Sequence, residues 1–197
     1  SNVSCFGYND GSANLNPING TPPYSHSWSD PLNQQTATAI SLSPGIYTNI
    51  MYDSEGCEII ASIEIQQPSL LEITSANITE VSCYNADDGS IEIVAQGGVS
   101  PYEYSIDCNS YGNNSTLGGL NPGIYAVCII DANGCIVEQE NIIIDSQPSQ
   151  VIIDDLDVTD ISCFGFNDGS ATVTASGGTG SLTYSWSNSE TSATANG

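Results

Sequence analysis

The sequence predicts an all-β protein: tandem small immunoglobulin-like β-sandwich repeats of about 80 residues, laid end to end as a rod. Three observations carry this. The stretch "SCFGYNDGS" at 4–12 returns as "SCYNADDGS" at 82–90 and as "SCFGFNDGS" at 162–170. Segments between these copies alternate apolar with polar residues or are rich in β-branched ones, and Gly, Pro and Asn punctuate them. No segment carries the 3.6-residue apolar period of an amphipathic helix.

The repeat sets the organisation. From Cys5, Cys83 and Cys163, at offsets of 78 and 80 residues, a Gly-Ser follows at Gly11, Gly89 and Gly169. His26, Tyr104 and Tyr184 come next in register, and then Trp28, Ile106 and Trp186. "PGIY" spans Pro44 to Tyr47 and Pro122 to Tyr125; "SEGC" at 54–57 matches "ANGC" at 132–135, after Asp53 and Asp131. "QPS" closes the unit at 67–69 and 147–149. The expected domains are an incomplete first repeat at 1–66 lacking its first strand, a complete repeat at 67–146, and an incomplete third at 147–197 lacking its last strands. The chain therefore reads as a window from something longer.

Taken in order, "SIEIVA" (90–95), "PYEYSI" (101–106) and "SATVTAS" (170–176) alternate like half-buried strands, and "GIYAVCII" (123–130) and "IVEQENIII" (136–144) read as strands from their β-branched content. "DSEGC" and "DANGC" read as tight hairpin turns. About seven short strands per unit fits a small immunoglobulin-like sandwich. Leu42, Gly45 and Tyr47, like Leu120, Gly123 and Tyr125, resemble a tyrosine corner. Trp28, Ile106 and Trp186 fall on the third strand, so these three with Tyr47 and Tyr125 are the expected core residues.

Charge excludes whole classes of partner. The chain has 23 Asp plus Glu, one His and no Lys or Arg, for a formal charge of −23. Nucleic acid and anionic lipid need cations to neutralise phosphates, so neither is expected. No run of eighteen apolar residues is present to span a membrane. Carboxylate self-repulsion favours an extended, soluble, non-aggregating assembly, or one neutralised by bound cations. The absence of trypsin-type cleavage sites suits a protein exposed outside the cell.

The patterns "SCFGxNDGSATVTASGGTGxxxYSWSN", "L-x-PGIY" and "DxxGC" resemble the SprB-type repeat, reiterated in giant surface adhesins of gliding Bacteroidetes bacteria. The resemblance covers nearly the whole chain and is best at 162–188; the middle copy departs with "SCYNADDGS" and with Ile106 in place of Trp. It implies an extracellular, cell-surface filament, exported by the type IX secretion system and moved during gliding. The implied partners are neighbouring repeats of the same chain and other filament components.

Of the seven cysteines, Cys5, Cys83 and Cys163 sit at one repeat position, Cys57 and Cys135 at another, and Cys108 and Cys128 belong to the middle repeat alone. Outside the cell these read as disulfides. The expected pairs are Cys5–Cys57, Cys83–Cys135 and Cys108–Cys128, with the partner of Cys163 beyond the window. Closing a loop of about fifty residues stabilises by roughly 4 kcal/mol. In a seven-strand sandwich, however, the first corner and the last hairpin lie at opposite ends. Stapling across repeats, Cys5 to Cys135, is the alternative. Zinc is remote, since no Cys-x-x-Cys exists.

Asp10, Asp88 and Asp168 each precede the Gly-Ser. They are either Ca²⁺ ligands or turn-capping side chains. No cofactor is required on this reading, although Ca²⁺ remains a candidate. His26 has Tyr at its repeat equivalents, and no Ser, His and Asp recur as a set, so no enzymatic activity is expected. Without Lys, an isopeptide crosslink cannot form. The sequons at Asn77 and Asn114 are short signals. Phe6, Tyr8, Phe164 and Phe166 are candidates for contacts between adjoining repeats. The expected function is a stalk module of a surface adhesin; the alternative is a Ca²⁺-dependent carbohydrate-binding sandwich.

Overall fold

A computed structural model describes residues 1–145 and 147–197. The expected domain boundary at 146 falls outside the described residues. Among them the chain is all-β, with fourteen strands and no helix. No helix among them is long and apolar enough to cross a membrane.

Strands β1 (Gly11–Asn14) and β3 (Thr38–Leu42) form one sheet, while β2 (Ser25–Trp28), β4 (Gly45–Tyr52) and β5 (Glu58–Ile65) form another in the order β2-β4-β5. The next set is β6 (Glu72–Thr79), β7 (Gly89–Gln96), β8 (Glu103–Ser105), β9 (Thr116–Leu120), β10 (Gly123–Ile130) and β11 (Ile136–Ile144). It divides into the orders β6-β7-β9 and β11-β10-β8. Strands β12 (Ile152–Thr159), β13 (Ser170–Ser176) and β14 (Thr194–Asn196) make the last sheet. The topology is that of β-sandwich repeats, with six strands in the middle copy rather than about seven. No strand lies between β8 and β9, at residues 107–115, "DCNSYGNNS", where Asp107 gathers the backbone N–H groups of Asn109 and Ser110 at 2.9 Å each. Donors spent on a local carboxylate are lost to a ladder, and strand pairing in this segment is reduced to the isolated bridge between Gly112 and Tyr104.

The chain forms two compact units: residues 1–76, 93–115 and 126–140, and residues 77–92, 116–125 and 141–197. In the first unit, Val3, Ala13, Trp28, Ala39, Leu42, Tyr47 and Ile65 make a buried core. Fully burying a side chain such as Leu42 or Ile65 contributes about 2–3 kcal/mol. The period-2 pattern of β4 places Tyr47, Asn49 and Met51 inward. In the second unit, Val81, Ile91, Leu120, Ile142 and Ile144 are buried. Gly89 lets them close up: a Cβ there would lie 2.7 Å from the Leu120 carbonyl oxygen.

The tyrosine corners are hydrogen-bonded. The Tyr47 hydroxyl donates to the Ser43 carbonyl at 3.0 Å, and that of Tyr125 to the Asn121 carbonyl at 2.7 Å. Of the expected core residues, Trp28 and Tyr47 are buried, whereas Ile106, Tyr125 and Trp186 are only half-buried. Ile106 lies just past the end of β8, where the chain leaves the sheet. Trp186 borders an open cleft with Val151, Ile153, Val173 and Leu182. The first Gln-Pro-Ser linker occupies 66–71, between β5 and β6.

Candidate functional site at the repeat joint

The recurrent "SC…NDGS" motif folds into one corner, built three times. The amide N–H of Tyr8 donates to the carbonyl of Cys5, that of Ala86 to Cys83, and that of Phe166 to Cys163, each at 3.1 Å. The residue between needs positive φ, and it is Gly7 (77°), Asn85 (59°) or Gly165 (86°). Gly and Asn are the residues that take this conformation at least cost. The carboxylates of Asp10, Asp88 and Asp168 close the loop by accepting the N–H of Ser4, Ser82 and Ser162 at 2.9, 2.9 and 3.0 Å. Hydrogen bonds from those serines hold all three carboxyls below the ordinary aspartate range. Each aspartate thus caps its own turn.

The "DxxGC" hairpin is the second component. Asp131 is buried, and its Oδ1 accepts the N–H groups of Asn133 and Cys135 at 2.9 Å each. Its Oδ2 accepts the N–H of Val99 at 2.8 Å. Asp53 repeats this with Glu55 and Cys57, at 3.0 and 2.9 Å, and with Thr21 at 3.2 Å. Its carboxyl is held low, chiefly by the bond from Cys57. The turn glycines Gly56 and Gly134 sit at φ of 84° and 85°. One carboxylate therefore shapes the hairpin and aims its cysteine.

The third component is the linker. The Gln67 side-chain oxygen accepts the N–H of Gly7 at 3.0 Å, and the Ser69 carbonyl accepts the N–H of Gly98 at 2.9 Å. In the second unit Gln147 takes Asn85 at 3.2 Å, and Ser149 takes Gly178 at 2.8 Å. The sequence marks Gln67 and Gln147 as repeated letters, but their bond to the corner depends on a fold that brings residues sixty positions apart together.

Corner, hairpin and linker meet in the first unit. Cys5 is bonded to Cys135, 130 residues away, with Cα atoms 5.7 Å apart. The Asn133 side chain donates to the Ser4 carbonyl at 2.8 Å. Phe6 and Tyr8 border the cleft over this bond with Leu70, Leu71, Gly98 and Ile136. This corrects the expected pairs Cys5–Cys57 and Cys83–Cys135. Cys57 and Cys83 are exposed thiols, as is Cys163. The reason is geometric: Val3, beside the Cys5 corner, bonds Gln66 at one end of the β4–β5 pair, while Cys57 follows the turn at its other end, so Cys5 meets the Cys135 hairpin instead. Cys108 and Cys128 form the second disulfide, 20 residues apart in sequence. Phe164 and Phe166 are exposed.

Among the described residues, Cys108, Cys128 and Glu138 are the one grouping close enough to hold a metal. Its two sulfurs are bonded to each other, so they offer no thiolate. His26 faces Asn49, with Nδ1 3.3 Å from Oδ1.

No curated protein matches the chain. The family model described as the SprB repeat matches residues 1–33, 75–110 and 156–191. Each match contains one corner and the strands that flank it, and together they span more than half of the chain. The chain belongs to the SprB repeat family, a structural repeat of cell-surface proteins.

Proposed function

We propose that this chain is a stretch of the load-bearing stalk of a secreted Bacteroidetes surface adhesin, serving adhesion and gliding, and that it has no enzymatic activity. The observation that supports this best is the joint. A linker that would otherwise swing is hydrogen-bonded at Gln67 and Ser69, and the repeats it connects are stapled by Cys5–Cys135. Order at a joint serves a rod that transmits force and serves a substrate site much less. Proline at Pro68 and Pro148 restricts the linkers further. The repeats are proposed to follow the bounds 1–66, 67–146 and 147–197, with their partners in neighbouring repeats and other filament components.

Pulling the single molecule from its ends tests the load path. Oxidised, the chain withholds the 130-residue span between Cys5 and Cys135; reduced, it releases about 450 Å more at ~3.5 Å per residue. Equal contour lengths in the two states would overturn the reading. The second reading, a Ca²⁺-dependent carbohydrate module, is favoured only by the repeated aspartates. Calorimetry with Ca²⁺ and glycans separates the two, because a stalk gives no saturable glycan heat.

A further inference from the structure

The second joint repeats the first up to the point where a bond is made. In the first unit the cleft over Cys5 has a volume of about 100 Å³ and is bordered by Phe6, Ser69, Leu71 and Gly98, with Cys135 and Ile136 set into it. In the second unit a cleft of about 390 Å³ is bordered by Cys83, Tyr84, Ser149, Val151 and Gly178, which are the repeat equivalents of those residues. The backbone frame is shared too. Ser149 accepts from Gly178 as Ser69 does from Gly98, and Gln147 accepts from Asn85 as Gln67 does from Gly7. Gly97 and Gly177 permit the same close approach: a Cβ would lie 1.7 Å from the Leu70 oxygen in one case and 1.9 Å from the Gln150 oxygen in the other. The exposed Cys83 thiol thus stands in a seat whose twin holds a disulfide partner.

We propose that the cleft at Cys83 is a docking and disulfide-forming site for the Asp-x-x-Gly-Cys hairpin of the repeat that follows, so that corners and hairpins of successive repeats link one step ahead in an interlocking ladder. Cys57 and Cys163 are the other two halves of the same device: a hairpin cysteine that takes the corner of a preceding repeat, and a corner cysteine that takes the hairpin of a following one. Two thiols give one S–S bond, two protons and two electrons, and the electrons reduce a small disulfide such as oxidised glutathione to two thiols. The ladder goes beyond the stalk reading, since a stalk can work with uncrosslinked joints. Its mechanical consequence is specific. Each loop of the Cys5–Cys135 kind overlaps the next, so no stretch of backbone between joints lies outside a covalent loop.

The test completes the third repeat within the full chain by adding a second copy of residues 42–66 after Gly197, which supplies one further hairpin cysteine. The chain is then oxidised in a glutathione buffer. Free thiols are counted, and bonds are mapped after cleavage at Asp and Glu, since the chain has no Lys or Arg. The expected result is a bond from the added cysteine to Cys83. The thiol count then falls from three to two although a cysteine has been added. A bond from the added cysteine to Cys163, or a thiol count of three or more with that cysteine unbonded, overturns the proposal. The unextended chain tests the same direction of linkage without depending on a folded third repeat. In C135S the ladder leaves Cys5 a free thiol, and a Cys5–Cys57 bond in that variant overturns it.

Discussion

Asn49 is fully buried on β4, and its Nδ2 has no hydrogen-bond partner, while its Oδ1 meets His26. The middle repeat places Val127 at the equivalent position, also fully buried. An orphaned buried donor costs about 1–3 kcal/mol, so Asn49→Val raises stability by about 1 kcal/mol in a denaturant titration. A loss of stability would show that the His26 contact outweighs the orphan. Asp107 makes a pH prediction. Bonds from the Ser110 N–H, the Ser105 hydroxyl and the Asn109 N–H lower its carboxyl from 3.8 to about 2. Its contribution is present above the unfolded value and is lost as pH falls toward 2. The stability gap between the native protein and Asp107→Asn is therefore constant above about pH 5 and closes toward pH 2, as thermal melts across that range will show. A gap that does not change with pH would mean that the three bonds do not distinguish carboxylate from carboxyl.

At the scale of the element, corner, hairpin and linker each depend on a backbone position that tolerates few residues. Gly97 has φ of 76° just after β7, and an added Cβ would lie 1.7 Å from the Leu70 carbonyl oxygen. A backbone oxygen cannot rotate aside as a side chain can. Gly97→Ala therefore costs about 3 kcal/mol or more, combining left-handed strain with displacement of the linker. Equilibrium unfolding measures it, and a loss below about 1 kcal/mol would mean that the linker shifts freely. The strands themselves were largely legible in the letters. "GIYAVCII", "IVEQENIII" and "SATVTAS" are the observed β10, β11 and β13 residue for residue. Period and β-branching are local properties, and these strands follow them. "PYEYSI" shrank to Glu103–Ser105: Pro101 has no N–H to give a ladder at one end, and Asp107 gathers the N–H groups of Asn109 and Ser110 past the other.

For the whole molecule, the absence of Lys and Arg leaves the described residues without carboxylate–cation side-chain pairs for salt to screen. What salt screens is repulsion among 23 carboxylates. Raising ionic strength from about 10 to 200 mM shortens the Debye length about fourfold. The melting temperature rises over that range, opposite to the behaviour of a protein held by surface ion pairs, and calorimetry across the series checks it. A falling melting temperature would mean that the carboxylates are engaged in attractive contacts. The Cys5–Cys135 bond acts at this scale too. It removes entropy from a 130-residue unfolded loop, contributing about 5 kcal/mol on the chain-entropy model.

The sequence by itself determined the repeat, its all-β class, the strands and the corner motif. Each of these follows from spacing, alternation or composition, which are written along the chain. It also offered Cys5, Cys57, Cys83 and Cys135 as candidates for pairing, of which Cys5 and Cys135 are bonded to each other. Which cysteine meets which was decided only by the tertiary structure. Equivalent letters recur in every repeat, so sequence offers both Cys57 and Cys135 to Cys5, and the expected choice of Cys57 is the one the fold overturned. A covalent bond forms only where the fold brings Cα atoms to about 6 Å, and the two ends of one sandwich are too far apart for that. The next repeat's hairpin, aimed by Asp131 and held by Asn133 on Ser4, arrives where the repeat's own hairpin cannot.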